Sequence, residues 1–167
     1  MVNYEIIDGN LLDAKADYIC HQVNCQGKMG SGVALAIRNK HNEVYYEYLE
    51  HLRMCTENGV NPLGTIQLVV TNCDSDSHDM LCGTPYRGVI NIFAQDRYGY
   101  DGRMYTSLEA FKSCLDKINN MCEDEVVAFP WKIACCRGGA DWNVVMPMIL
   151  NTLTNVRKVV FYRYDAG

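Results

Sequence analysis

The sequence predicts one domain of three-layer α/β architecture, with a mixed and mostly parallel sheet of about six strands. Strand patterns alternate with helix patterns along the chain, which is the order typical of such folds. The 167 residues contain no linker, repeat or low-complexity stretch, and this length suits a single domain spanning 1–167. Two glycine-bearing segments each follow a strand and precede a helix, the position at which α/β domains bind ligands.

Six segments combine β-branched and aromatic residues with turn residues at their ends, which predicts strands. They are 3–7, 18–23, 65–70, 88–93, 126–130 and 158–162. The first alternates apolar and polar residues and ends at the turn signal Asp8-Gly9-Asn10. The second is more continuously apolar, which indicates a strand in the interior of the sheet.

Four segments show helical spacing of apolar residues, and a polar acidic stretch at 72–78 is predicted to be a surface loop. The helices are expected at 33–40, 43–55, 107 to about 122, and 142 to about 153. Thr106 or Ser107 is predicted to cap the third helix, and Asp141 the fourth. In the first helix, Val33 and Ile37 share one face, which is expected to be buried.

Composition restricts the class of protein. Hydrophobic residues make up 49% and charged residues 21%, which is ordinary for a globular domain. A net charge of -5 without a basic stretch argues against non-specific nucleic-acid binding. No apolar stretch reaches the roughly 20 residues that a membrane helix needs, and the first residues lack the pattern of a signal peptide. We expect a cytoplasmic monomer that binds neither nucleic acid nor membranes.

Nine cysteines raise the alternatives of free thiols and a zinc site. Cys20 and Cys25 are separated by four residues, whereas Cys135 and Cys136 are adjacent. Neither spacing is the C-x-x-C pair of zinc sites, and the four histidines are scattered. We therefore expect reduced thiols, with no metal and no cofactor.

The two glycine-bearing segments are candidate anion sites. The first, 24–32, leaves a buried strand and enters a helix, and the second, 133–142, does the same after Pro130. Glycine lets the backbone approach a ligand closely, and a helix start offers unpaired N–H groups. Either segment alone also fits a plain strand-to-helix connection. Two of them on neighbouring strands can hold two linked phosphates from both sides.

His21 is a candidate for catalysis because an imidazole that titrates near neutral pH can activate water or attack phosphorus. The alternative is a strand histidine that is satisfied by a backbone carbonyl. His21 and Asn24 face opposite ways on a regular strand, so they can act together only if the chain bends between Val23 and Asn24. Asp96 and Asp101 are alternative catalytic groups, or solvated loop residues.

These motifs together resemble those of the macro domains. Residues 17–24 (Asp-Tyr-Ile-Cys-His-Gln-Val-Asn), followed by 29–34 (Met-Gly-Ser-Gly-Val-Ala), are similar to the first ligand loop of that family. Residues 9–12 resemble its turn after the first strand, and 133–142 resemble its second, glycine-rich loop with Asp-Trp at the helix start. Phe161-Tyr162 resembles the end of its last strand. The resemblance spans nearly the whole chain.

The resemblance implies a pocket for ADP-ribose or ADP-ribose 1″-phosphate. Asn10, with Leu11 beside it, is implied to contact adenine, on which Tyr162 stacks, and Asn24 to bind the distal ribose. The other implied ligand-binding residues hold the phosphates and the distal ribose, mainly through the backbone: Gly30, Ser31, Gly32 and Val33 in the first loop, and Ala134, Cys135, Cys136, Arg137 and Gly138 in the second.

The subgroup that matches best is similar to ADP-ribose 1″-phosphate phosphatases. Its members carry the strand histidine, here His21, and three motifs found here as Asn24-Cys25-Gln26-Gly27, Gln95-Asp96-Arg97-Tyr98-Gly99 and 137–142. The resemblance implies that His21 acts as general base or nucleophile and that Asn24 positions the distal ribose. Binding of ADP-ribose or its conjugates without turnover, and removal of ADP-ribose from a conjugate, remain alternatives.

Four positions depart from relatives in this family. A subgroup that removes ADP-ribose from glutamate uses a lysine and an aspartate where this chain has Gln95 and Gly138. Ala134 and Cys136 stand where the family usually has glycine. Because a side chain is unfavourable at positive φ, the second loop is expected to be less open than usual.

Overall fold

Six strands form one mixed sheet, in the order β1-β6-β5-β2-β4-β3. A computed structural model describes residues 1–71, 83–99, 101 and 103–164. The strands are β1 (Tyr4–Asp8), β2 (Tyr18–Asn24), β3 (Ile66–Val70), β4 (Gly88–Gln95), β5 (Val126–Pro130) and β6 (Lys158–Arg163). Every pairing is parallel except that of β3 with β4. The predicted fold class is confirmed, and the predicted segment 72–78 lies outside the described residues.

Four helices cover the sheet: α1 (Gly32–Lys40), α2 (Asn42–Glu57), α3 (Leu108–Met121) and α4 (Trp142–Thr152). Ser107 and Asp141 cap α3 and α4 by accepting a hydrogen bond from a first-turn N–H, as predicted. A short 3-10 turn, Leu11–Asp13, follows β1. In the described ranges, no helix combines the length and the apolar character needed to cross a membrane.

Two apolar clusters pack on opposite faces of the sheet. Successive residues of a strand point to opposite faces, and β4 places Ile90 and Ile92 in the cluster with α3 and α4. Its intervening residues Val89 and Phe93 belong to the cluster with α1 and α2. All eight residues of β4 are buried, as expected for a central strand covered on both faces.

The carboxyl ends of β2 and β5 lie at the same edge of the sheet because these two strands are parallel. The register of β2 against β4 shifts between Val23 and Asn24, where the sequence argument required a bend. One prediction about α1 is wrong: Val33 does not join the buried face with Ile37 but is 40% exposed. The reason is its place in the first turn of α1, where it lines the cavity described in the next section.

Candidate functional site

A cavity of about 410 Å³, called the cleft below, lies at the carboxyl ends of β2 and β5. It is bordered by the first loop (residues 25–31) and the second loop (residues 131–141). The cleft brings together ten residues that the sequence singled out: His21, Asn24, Gly30, Ser31, Gly32, Val33, Ala134, Cys136, Arg137 and Gly138. Asn10, Leu11, Cys135 and Tyr162 do not line it.

The first loop is folded around the side chain of Asn24. Its Oδ1 accepts from the N–H of Gln26 at 3.0 Å and lies 2.9 Å from the Tyr48 hydroxyl, while its Nδ2 donates to the carbonyl of Lys28 at 2.9 Å. The Tyr48 hydroxyl also accepts from the N–H of Gly27 at 3.1 Å. Asn24 therefore holds the loop in shape and keeps one amide N–H that donates to no described residue.

The start of α1 presents unpaired N–H groups to the cleft. Ser31 occupies the N-cap position, but its side chain makes no capping hydrogen bond. The N–H groups of Gly32, Val33 and Ala34 donate to no residue in the described part of the chain. Gly32 has φ +59°, a conformation that favours glycine. An uncapped helix start of this kind is suited to an anion.

The second loop is built on a strained alanine. Ala134 has φ +71°, in the left-handed region, which costs about 1–2 kcal/mol for a residue with a Cβ. Its carbonyl accepts from Thr106 Oγ1 at 3.0 Å and from the N–H of Ala140 at 3.1 Å. A Cβ on Gly138 would lie 2.1 Å from Thr106 Oγ1. The loop thus requires glycine at Gly138 and tolerates Ala134 at an energetic cost.

Backbone donors of the second loop also lack partners among the described residues. The N–H groups of Ala134, Cys136 and Gly138, all residues of the cleft, donate to no described residue. Cys135 instead turns away, and its thiol donates to the carbonyl of Ile133 at 3.3 Å. Burial raises the pKa of Cys135 to about 11, so this thiol stays protonated at neutral pH. The two loops therefore offer two sets of N–H donors across one cleft.

Cationic side chains surround the cleft. Lys28 from the first loop and Lys132 and Arg137 from the second loop line it, and no Asp or Glu is among the described residues that do so. Lys28 and Lys132 form no ion pair with a described residue. Since the whole chain carries a net charge of -5, this local excess of positive charge favours an anionic ligand.

A hydrogen-bonded group of polar side chains, Gln22, Gln95 and Thr106, lies beside the second loop and was not predicted from the sequence. Gln22 Nε2 donates to Gln95 Oε1 at 3.0 Å and to Thr106 Oγ1 at 2.9 Å. Gln22 Oε1 is buried and has no partner among the described residues. The signal that was available is a glutamine inside a strand that was expected in the interior of the sheet, since buried polar groups need partners.

His21 is 1% exposed, and its Nε2 lies 2.5 Å from Oδ1 of Asn91 on β4. Burial lowers the pKa of His21 to about 4, and the hydrogen bond with Asn91 only partly opposes that shift. The expectation of an imidazole that titrates near neutral pH is therefore wrong, because the ring is removed from water. The partner is a side-chain amide and not a backbone carbonyl.

The residues expected at an adenine end lie beyond the cleft. Asn10 Oδ1 accepts from the N–H of Leu12 and so caps the 3-10 turn, and Leu11 is buried in the α1–α2 cluster. Tyr162 is 7% exposed, and its hydroxyl accepts from the N–H of Lys15 at 3.0 Å. Tyr164, which is 63% exposed, lines a second cavity of about 670 Å³ with Asp8, Gly9 and Arg163.

The alternative catalytic acids are outside the cleft. Asp101 accepts from the Tyr105 hydroxyl at 2.7 Å, and this bond lowers the pKa of the carboxyl group. Asp96 is exposed and does not line the cleft, whereas Tyr98 does, with its N–H held by Gln26 Oε1 at 3.0 Å. Neither carboxylate is placed where a ligand in the cleft would meet it.

Seven of the nine cysteines lie in the described ranges, and none of these seven forms a disulfide. Cys73 and Cys82 fall outside those ranges. The part of the chain that the structure describes contains no group of three or more His, Cys, Asp or Glu side chains arranged for a metal ion. The reduced state of all nine thiols and the absence of a metal stay predictions.

The fold is that of the macro domains, as solved structures show. The macrodomain of Mycobacterium tuberculosis DarG is similar with a TM-score of 0.70 and 21% identity, over 97% of this chain and 99% of that chain. The macrodomain of Thermus aquaticus DarG is similar with a TM-score of 0.69 and 23% identity, over 95% of this chain and 97% of that chain. Thermosipho africanus DarTG in complex with ADP-ribose is similar with a TM-score of 0.72 and 17% identity, over 98% of this chain and 42% of that chain. No family model matches the sequence, and no curated protein matches it.

Proposed function

We propose that this chain binds ADP-ribose in the cleft and hydrolyses ADP-ribose 1″-phosphate to ADP-ribose and phosphate. The observation that carries the binding proposal is the pair of N–H sets without partners among the described residues, from Gly32 to Ala34 at the start of α1 and from Ala134, Cys136 and Gly138 in the second loop, all in residues that line one cleft. Two such sets suit the two phosphates of a pyrophosphate. Thermosipho africanus DarTG, of the same fold, is in complex with ADP-ribose.

The ligand extends in both directions from this pyrophosphate site. The distal ribose lies toward Asn24, whose remaining amide N–H is available to a ribose hydroxyl. Adenine lies toward the second cavity, which is lined by the exposed Tyr164 and by Gly9. Asn10 follows Gly9 in the chain, and the Tyr162 ring packs next to Gly9. Micromolar affinity corresponds to about -8 kcal/mol, which two backbone-held phosphates and one stacked base can supply.

The proposed reaction needs a base and a site for the terminal phosphate. His21 accepts a proton from water, the water oxygen bonds to phosphorus, and the bond from phosphorus to the 1″ oxygen breaks with its electron pair on that oxygen. The 1″ oxygen takes up a proton and inorganic phosphate leaves. Lys28 and Lys132 at the rim favour a ligand with this additional negative charge.

Binding without turnover is the second candidate, and the state of His21 favours it. A ring whose pKa is lowered to about 4 accepts a proton only weakly. The lysine and aspartate that the glutamate-directed subgroup uses are replaced here by Gln95 and Gly138, both residues of the cleft. The charged groups that remove ADP-ribose from glutamate in that subgroup are therefore missing at the corresponding positions of this chain.

One experiment separates the candidates. Phosphate release from ADP-ribose 1″-phosphate is measured for wild type and His21→Ala, beside calorimetric titration of both proteins with ADP-ribose. General base catalysis is worth about 10²–10⁴-fold, so His21→Ala should lose at least about 10²-fold in rate while affinity for the product changes little. Binding by wild type without phosphate release supports the second candidate. Failure of wild type to bind ADP-ribose contradicts both.

A further inference from the structure

Three polar side chains form a row across the sheet, at one register level of β2, β4 and β3. His21 is the register partner of Asn91, and Asn91 is the register partner of Gln67. The row lies on the α1–α2 face, where its neighbours two residues away on each strand are apolar and belong to one cluster: Ile19 and Val23, Val89 and Phe93, and Val69. A buried polar row costs free energy unless its members are paired.

The row is paired along its whole length. His21 Nε2 lies 2.5 Å from Asn91 Oδ1, Asn91 Nδ2 donates to Gln67 Oε1 at 3.0 Å, and Gln67 Nε2 donates to the backbone carbonyl of Glu47 at 2.7 Å. The chain of hydrogen bonds therefore runs from the cleft residue His21 to α2, which contains Glu47.

The backbone carbonyl at the far end sets the direction of every bond in the row. A carbonyl oxygen can only accept, so Gln67 must turn its amide nitrogen toward Glu47 and its oxygen toward Asn91. Asn91 must then turn its nitrogen toward Gln67 and its oxygen toward His21. Because that oxygen also only accepts, the His21 proton has to be on Nε2.

The other ring nitrogen is left as a lone-pair acceptor. His21 Nδ1 is buried and has no hydrogen-bond partner among the described residues, and His21 lines the cleft. We propose that Asn91 and Gln67 are positioning residues, which hold His21 as the Nε2–H tautomer and keep its buried Nδ1 unprotonated. The chemical use of Nδ1, as the atom that takes the proton from water, rests on the proposed phosphatase function.

The lowered pKa of His21 agrees with this assignment, since burial keeps the ring neutral at pH 7 and a neutral ring has one tautomer or the other. Neither positioning residue touches the cleft. Asn91 is fully buried and Gln67 is half-buried on the edge strand β3. A substitution at Gln67 can therefore reverse the donor and acceptor roles along the row with little effect on packing.

Two substitutions at this position have opposite hydrogen-bonding character. In Gln67→Glu the carboxylate only accepts, so Asn91 keeps its orientation and His21 stays Nε2–H. In Gln67→Lys the ammonium only donates, so Asn91 turns its oxygen toward Lys and its nitrogen toward His21, which shifts the ring toward Nδ1–H. In Gln67→Met the side chain neither donates nor accepts a strong hydrogen bond, so residue 67 no longer sets the orientation of the Asn91 amide. This variant replaces Gln67→Lys in the experiment if Gln67→Lys does not fold.

Nitrogen NMR of histidine-labelled protein reads the tautomer directly, because protonated and unprotonated ring nitrogens resonate in separate ranges. His21→Gln assigns the signal, and the signals of His41 and His51 serve as internal controls. We expect an unprotonated Nδ1 in wild type and Gln67→Glu at pH 7, and a protonated Nδ1 in Gln67→Lys or a mixture in Gln67→Met. A protonated Nδ1 in wild type, or one tautomer common to all the variants, overturns the proposal.

Phosphate release supplies the second readout. The wrong tautomer should lower kcat in Gln67→Lys by about 10²-fold or more, with the affinity for ADP-ribose unchanged, and Gln67→Glu should retain more activity than Gln67→Lys. Equal kcat in the two variants contradicts the positioning role. If wild type releases no phosphate, the proposed function fails, whereas the NMR comparison still decides whether Gln67 and Asn91 set the tautomer.

Discussion

Thr106 Oγ1 donates a hydrogen bond to the carbonyl oxygen of Ala134 at 3.0 Å and thereby joins the segment before α3 to the second loop. The same hydroxyl accepts from Gln22 Nε2 at 2.9 Å, and the backbone N–H of Thr106 donates to the carbonyl of Gly138 at 2.9 Å. Thr106 thus connects Gln22 of β2 with both Ala134 and Gly138, the first and last residues of the second set of N–H donors.

Ala134→Gly should stabilise the protein. The substitution removes a strain of about 1–2 kcal/mol at φ +71°, while the added chain entropy of glycine offsets about 0.5–1 kcal/mol of this gain. We expect the free energy of unfolding to rise by about 0.5–1 kcal/mol in chemical denaturation. Ala140→Gly, at a buried alanine of the same loop without positive φ, is the matched control and should be destabilising. Equal losses in both variants would show that Ala134 is not strained.

Gly32→Glu should abolish ADP-ribose binding, because a carboxylate at the uncapped start of α1 occupies and repels the phosphate site. Gly32→Ala is the control, since it carries the same cost of a Cβ at φ +59° without the charge. Both variants should remain folded, as no atom lies within 4 Å of an added Cβ. Calorimetry that finds wild-type affinity in Gly32→Glu would place the ligand elsewhere.

His21 makes stability depend on pH in a defined window. Its pKa is about 4 in the folded protein and about 6.5 in an unfolded chain, so the unfolded state binds more protons between these values. The contribution of the neutral His21 ring to the free energy of unfolding is fully present above about pH 6.5. It is lost as the pH falls toward 4, on the order of 3 kcal/mol in total. Denaturation curves of wild type and His21→Gln from pH 7 to about pH 4 test this. Parallel pH profiles would show that the pKa of His21 is close to its ordinary value.

Tyr164 and Tyr162 should differ in their effect on the adenine end. Tyr164→Ala removes the exposed ring of the second cavity and should cost about 0.5–1.5 kcal/mol in ADP-ribose affinity, with no change for ribose 5-phosphate. Tyr162→Phe keeps the buried ring and loses only the hydroxyl that accepts from Lys15, so it should affect stability more than affinity. A loss of ADP-ribose affinity in Tyr162→Phe that exceeds the loss in Tyr164→Ala would assign the adenine end to the Tyr162 hydroxyl, because the ring of residue 162 is retained in this variant.

Much of the site was predictable because it depends on local chain geometry. Gly30, Ser31, Gly32 and Val33 follow a strand and begin a helix, and this arrangement alone places their backbone at the carboxyl edge of the sheet. The strain at Ala134 was also predicted, since the need for positive φ follows from the glycine usual at that position. The same expectation for Cys136 is wrong, because Cys136 is not among the described residues with positive φ. The bend after Val23 was required by strand geometry and coincides with the register shift against β4.

The amino-acid sequence by itself determined the order of strands and helices, the fold class and the two loops that border the cleft, because these follow from hydrophobic periodicity and turn chemistry over short stretches. Only the tertiary structure decided the state of His21 and the roles of Gln22, Gln67 and Asn91. These side chains are far apart along the chain and meet through strand register. Burial and the direction of each hydrogen bond then determine which atoms carry protons, and no local pattern encodes either quantity.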